Sequence, residues 1–124
     1  MAQIDTITHN GHAVLLVDYG GLRNEQETLA FIDTVQARIA ACAPQSALLI
    51  NNFANAHATT GVLRRLKEFA AQNTPYVRAS ALIGLSPIQE VLARAVARVA
   101  GRKLPMFDSV GDALEWLTTS AIAG

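Results

Sequence analysis

Ala47-Leu48-Leu49-Ile50-Asn51-Asn52-Phe53 passes through Ala54-Asn55-Ala56-His57 into Ala58-Thr59-Thr60-Gly61. The apolar run from Ala47 to Ile50 is too short for a helix, and its abrupt change to amides reads as a buried strand that ends in polar residues. After it, two hydroxyls and a glycine open a pattern of helical period to about Gln72, with Val62, Leu66, Phe69 and Ala70 inward and Arg64, Arg65, Lys67 and Glu68 mostly outward. This is half of a βαβ unit. The first N–H groups of a helix have no partner within it, so they can meet an anion or a capping hydroxyl. Thr59, Thr60 and Gly61 are accordingly the candidate phosphoacceptor or anion-binding helix start.

The same alternation extends in both directions. Upstream, His12 to Tyr19 carries the continuous apolar centre Val14-Leu15-Leu16-Val17 of a strand buried on both faces. Before it, Asn10-Gly11 is a strong hairpin signal, which makes Thr6 to Thr8 an added edge strand. A helix follows from the N-cap Asn24, with Glu25 and Glu27 favouring its dipole and Thr28, Phe31, Ile32, Val35, Ile39 and Cys42 as its inward stripe. Pro44 ends it.

Downstream, Asn73-Thr74-Pro75 is a break, and Val77 to Leu85 read as the next strand. Ser86-Pro87 supplies a cap and a proline at the first helical position, and Ile88, Val91, Leu92, Ala95 and Val99 read as the apolar stripe of the third helix, closed by Gly101. Leu104 to Phe107 form a brief strand, and Ser109 with Asp112 opens a last helix through Ala113, Leu114, Trp116 and Leu117.

The reading is one α/β domain over residues 1–124, with a four- or five-stranded, mostly parallel sheet and four helices. Ligand sites in such sheets collect at the C-terminal ends of strands. Those ends make Asp18, Tyr19, Asn51, Asn52, His57, Gly84 and Ser86 the candidate ligand or partner surface, with Asp108 and Ser109 from the last unit. Whether they converge depends on strand order.

Acids and bases balance at ten each, and charged residues are only 16% of the chain, so no nucleic-acid surface or acidic tail is signalled. With 51% hydrophobic residues and many alanines, the composition favours close helix packing and makes a homodimer a candidate assembly. No apolar run approaches the roughly 20 residues that span a bilayer, and the N-terminus lacks a signal-peptide pattern. Cys42 stands alone, so an internal disulfide is impossible and the expected compartment is the cytoplasm.

No catalytic residues, metal ligands or cofactor are assigned. His9 and His12 lie at the opposite strand end from His57, which argues against a metal triad. Asp18 has no adjacent acid, as a phospho-accepting receiver domain requires. Gly84-Leu85-Ser86-Pro87 is not a nucleophile elbow, and Gly20-Gly21 belongs to no phosphate-loop pattern. Arg94, Arg98 and Arg102, with Glu90, read as a solvated basic edge of the third helix.

Three stretches carry a family likeness: Val17-Asp18-Tyr19-Gly20-Gly21-Leu22, Ala79 to Ser86 with its Ala-Leu-Ile-Gly-Leu-Ser pattern, and Phe107-Asp108 through Ala113, Trp116 and Leu117. On these the chain resembles the SpoIIAA-like, or STAS-like, domains related to bacterial anti-sigma-factor antagonists. The resemblance implies a non-catalytic regulatory or protein-interaction module whose partner is another protein. In the antagonists, a partner kinase phosphorylates a Ser or Thr in an Asp-Ser-Ser-Gly motif at the start of the second helix. Ala58-Thr59-Thr60-Gly61 matches that motif with alanine in the place of the acid. A looser likeness to lipid-exchange domains implies a second expectation, a carrier or sensor of a lipid or other small hydrophobic ligand.

Overall fold

Asn10 and Gly11, both at positive φ (50° and 79°), close a two-residue turn whose twist suits a hairpin. The turn pairs β1 (Gln3–His9) antiparallel with β2 (His12–Asp18), so the edge strand is longer than the Thr6 to Thr8 read from the sequence. The computed structural model describes residues 2–56 and 59–123. Within them, β3 (Ala47–Asn52), β4 (Val77–Ile83) and β5 (Met106–Phe107) add in parallel, giving one five-stranded sheet in the order β1-β2-β3-β4-β5. The fourth strand stops at Ile83 because Gly84 turns to φ 76°. Leu104 and Pro105 stay outside the last strand, although the Pro105 carbonyl accepts from Leu82 N at 2.9 Å.

The helices are α1 (Glu25–Ala40), α2 (Thr60–Asn73), α3 (Pro87–Ala100) and α4 (Val110–Thr118). Each begins on a side-chain acceptor for a backbone N–H two or three residues into the helix: Asn24, Thr59, Ser86 and Ser109. At α3, Ser86 and Gln89 satisfy each other's backbone groups in a capping box, and Pro87 occupies the first turn.

The monotonic strand order decides the layers. Every crossover from β2 onward steps the same way, so one handedness puts all three connecting helices on one face. There α1 packs beside α2 and α2 beside α3. The opposite face is covered by α4, which lies against β3, β4, β5 and β1. Strand residues alternate accordingly: Leu15, Val17, Ala47 and Leu49 join Ile32, Val35, Val62 and Phe69, while Val14, Leu48, Ile50, Ala81 and Ile83 join Ala113, Leu114 and Leu117. Fully burying each of the larger side chains stabilises by roughly 1.5–3 kcal/mol.

Arg65 ties the first two helices together by donating to Asp33 and Gln36 of α1, and also donates to Gln72 of its own helix, so it is partly buried between α1 and α2 and does not point freely outward. The third helix differs more from expectation. Ile88, Val91 and Val99 are 73%, 62% and 69% exposed, whereas Val96 is buried and Leu92 is partly covered. The inward face is therefore rotated toward Val96, and the helix carries two adjoining apolar arcs of which only one is covered, facing α2 and the cavity beneath it.

Candidate functional site

Because β2, β3 and β4 are neighbours, their C-terminal ends bring Asp18, Asn52 and Gly84 close together: Asp18 pairs with Asn52, and Asn52 with Ile83. Their polar atoms are largely committed to shaping the edge. Asp18 Oδ1 accepts from Gly20 N at 2.9 Å, and Asn52 Oδ1 accepts from Ala54 N at 3.0 Å, both two-residue side-chain turns. A Cβ at Gly84 would lie 2.6 Å from Asn52 Oδ1 and 2.7 Å from Ala54 N, so glycine permits the close approach as well as the positive φ.

Behind this rim, Tyr19 is buried. Its ring stacks on Phe53 (centroids 4.6 Å apart, 10° between planes) and meets Phe31 edge-on at 5.4 Å. Its hydroxyl donates to Asn51 Oδ1 at 3.0 Å. Burial pushes the phenol well above the ordinary tyrosine range. Ser86 is engaged as the cap of α3, and His57 lies outside the described residues. Asp18, Tyr19, Asn51, Asn52 and Gly84 thus come together, but as a hydrogen-bonded scaffold.

The start of α2 holds a residue that sequence reading did not assign there. Thr59 accepts from Val62 N at 3.2 Å and donates to Glu25 Oε1, which reaches across from the first turn of α1. A Cβ at Gly61 would collide with the same carboxylate, so the missing side chain makes room for it. An internal anion already sits at the positive end of α2. Thr60, the first residue of the helix, is exposed. Glu25 read only as a dipole partner of its own helix; its contact 34 residues away leaves no local signal.

Beneath α2 and α3 lies a cavity of about 90 Å³. Leu49 and Leu82 supply wall from the sheet, Val62, Leu66 and Phe69 from α2, and Leu92, Ala93 and Val96 from α3. Its polar lining is confined to Asn51, Ser80, Gln89 and Arg102. Arg102 is not part of a solvated row with Arg94 and Arg98. Gly101 adopts the left-handed conformation (φ 64°), Arg102 N bonds back to Ala97 O at 2.9 Å, and the turn carries the guanidinium inward. There Nη1 donates to Ala70 O at 3.1 Å and Nη2 to Ser80 Oγ at 2.6 Å. Burial holds its pKa below the ordinary arginine value. The glycine at 101 was the available clue, since a position beyond a left-handed cap no longer follows the helical period.

Among the described residues no three His, Cys, Asp or Glu side chains are grouped to hold a metal ion, and no helix is long and apolar enough to cross a membrane.

No family model matches the chain, and no curated protein matches it by sequence. Among solved structures, the chain is similar to an uncharacterised protein of the DUF3478 family from Shewanella loihica PV-4, described as having a SpoIIAA-like fold. The two share 14% identity with a TM-score of 0.72, over 94% of this chain and 93% of the other. The chain therefore has a SpoIIAA-like, STAS-like α/β fold. At this identity the likeness concerns architecture.

Proposed function

We propose that the protein is a non-catalytic regulatory module of the cytoplasm that acts by binding another protein. One observation carries this reading: Ile88, Val91 and Val99 project from one side of α3, and all three remain largely exposed. Large apolar side chains aligned on one helix mark an interaction surface more often than a solvated face. Arg94 and Arg98 lie on the same exposed flank, so the fitting partner presents an apolar patch bordered by acids.

The start of α2 is the proposed control point. A phosphate on exposed Thr60 would add about 1.5 to 2 negative charges between Thr59 and Gly61, the two residues that border the Glu25 carboxylate. Like charges gathered in one helix turn favour release of Glu25 from α2, which alters the surface shared by α1 and α2. The test is photocrosslinking from position 91 in the native cells, followed by affinity measurement with the purified captured protein. Val91→Lys with Val99→Lys is expected to weaken binding at least tenfold, and Thr60→Asp to change it measurably. Affinity unaffected by the α3 pair would refute the proposed surface; indifference to Thr60→Asp would refute the switch.

The cavity between α2 and α3 supports a second reading, a carrier or sensor of a small hydrophobic ligand. Its walls are mostly apolar, with Asn51, Ser80, Gln89 and Arg102 as the few polar residues, which is the usual character of a ligand pocket.

A further inference from the structure

Arg102 is the feature that the fold does not consume. A guanidinium has five N–H donors, and two of them are bonded, one to a carbonyl and one to a hydroxyl. Neither acceptor carries charge. None of the ion pairs among the described residues includes Arg102; these join His9 with Glu115, Arg23 with Glu27, and Arg65 with Asp33. A partly buried cation is thus held against the wall of an apolar cavity by neutral acceptors alone. Buried charges are ordinarily paired, because removing them from water is costly.

The position of this cation restricts what could fill the space. Arg102, beside Ser80, is the one charged residue of the lining; Asn51 and Gln89 add neutral polar groups, and the rest is apolar, with side chains such as Leu66, Phe69, Leu92 and Val96. A wholly apolar ligand would cover the walls and leave the guanidinium unpaired. A small polar anion would pair with it and leave the walls without a partner. Both are satisfied by a molecule with one anionic end and one aliphatic body, and a planar carboxylate matches the guanidinium fork in two-point geometry.

We infer that the α2–α3 cavity is a binding site for an aliphatic monocarboxylate, with the carboxylate on Arg102 and the chain among the side chains of α2 and α3. This rests on the reading of the cavity as a ligand site. The ligand arrives already ionised at neutral pH, so binding transfers no proton and forms no covalent bond. Arg102 is the specificity residue, and Ser80 is a positioning residue that holds the guanidinium through Nη2.

The experiment is calorimetric titration of the purified full chain with octanoate and, separately, with 1-octanol, which keeps the chain and removes the charge. Wild-type protein is expected to bind octanoate at least tenfold more tightly than octanol. In Arg102→Met, which preserves much of the stem's packing, octanoate affinity should fall at least tenfold while octanol affinity stays within twofold; Arg102→Lys should retain part of the preference. Retained octanol binding also shows that the Met variant keeps its cavity. Equal affinity for the two ligands in the wild type, or octanoate binding indifferent to Arg102→Met, would overturn the assignment to a carboxylate while leaving a hydrophobic-ligand site standing. Absence of binding by either compound up to its solubility limit would overturn both.

Discussion

Tyr19 and Asn51 are joined by a buried hydrogen bond of 3.0 Å between neighbouring strand ends, with the phenol donating to the amide oxygen. The contact fixes the Tyr19 ring between Phe31 and Phe53 and lets Asn51, which is 5% exposed, sit inside the helix-covered face of the sheet. Removing the hydroxyl in Tyr19→Phe leaves Asn51 Oδ1 without its donor. The expected loss is about 1–3 kcal/mol, read from denaturant unfolding.

The same phenol predicts a pH dependence. Burial raises its folded-state pKa above the unfolded value of about 10, so the neutral form is favoured by folding. Its contribution is fully present below that unfolded value and is lost as pH climbs above it, because the unfolded chain then ionises first. Unfolding measured from pH 8 to pH 11 should show stability falling more steeply in the wild type than in Tyr19→Phe. Parallel curves for the two would contradict this assignment.

The Thr59–Glu25 contact yields a charge test. Thr59→Asp retains an oxygen acceptor for Val62 N but sets a second carboxylate against Glu25. The single variant should be less stable than wild type. Adding Glu25→Gln should recover part of the loss, with a coupling of about 0.5–3 kcal/mol in the double-mutant cycle. Additive effects would mean that the two side chains do not communicate in solution.

Gly84→Ala combines an unfavourable positive φ with a Cβ placed 2.7 Å from a backbone nitrogen. The backbone of Ala54 cannot yield as a side-chain tip can, so the loss should be at least about 1 kcal/mol. Gly101 shares the positive φ but faces open space, and Gly101→Ala should be the milder of the two changes by thermal unfolding.

The two arcs of α3 separate by mutation. Val96→Ala opens the buried side and should destabilise by about 1–3 kcal/mol. Val91→Ser or Val99→Ser changes an exposed side chain and should stay within about 0.5 kcal/mol by chemical denaturation. Comparable losses at positions 91, 96 and 99 would mean that the helix is packed in a different rotation.

This rotation also marks where the sequence was legible and where it was not. The strands and caps were readable because their causes are local: a short apolar run, Asn10-Gly11 at a hairpin turn, a hydroxyl before a helical pattern. On α3 the rule that apolar residues face inward had too many to place, with Ile88, Val91, Ala95 and Val99 forming as good a stripe as Leu92 and Val96. Periodicity counts hydrophobicity and cannot tell which of two adjoining arcs turns inward. At the candidate site, the strand-end residues were identifiable as a group, but their mutual hydrogen bonds were not. The Glu25 carboxylate at α2 and the inward turn of Arg102 depend on tertiary approach, which the spacing of residues along the chain does not encode.

The division of the sheet into one three-helix face and one single-helix face has a consequence for synthesis. Chain order places α1, α2 and β4 before α4, so much of the first core can close while the second face still waits for its cover. Val14 emerges early, yet its neighbour Leu117 follows roughly 5–20 s later at ordinary elongation rates. In the last third of that interval, once Ile83 has followed, the nascent chain presents Val14, Leu48, Ile50, Ala81 and Ile83 as an uncovered apolar sheet. A nascent chain held after β4 has left the ribosome and before α4 has done so would therefore display a chaperone-recruiting surface that the finished molecule hides.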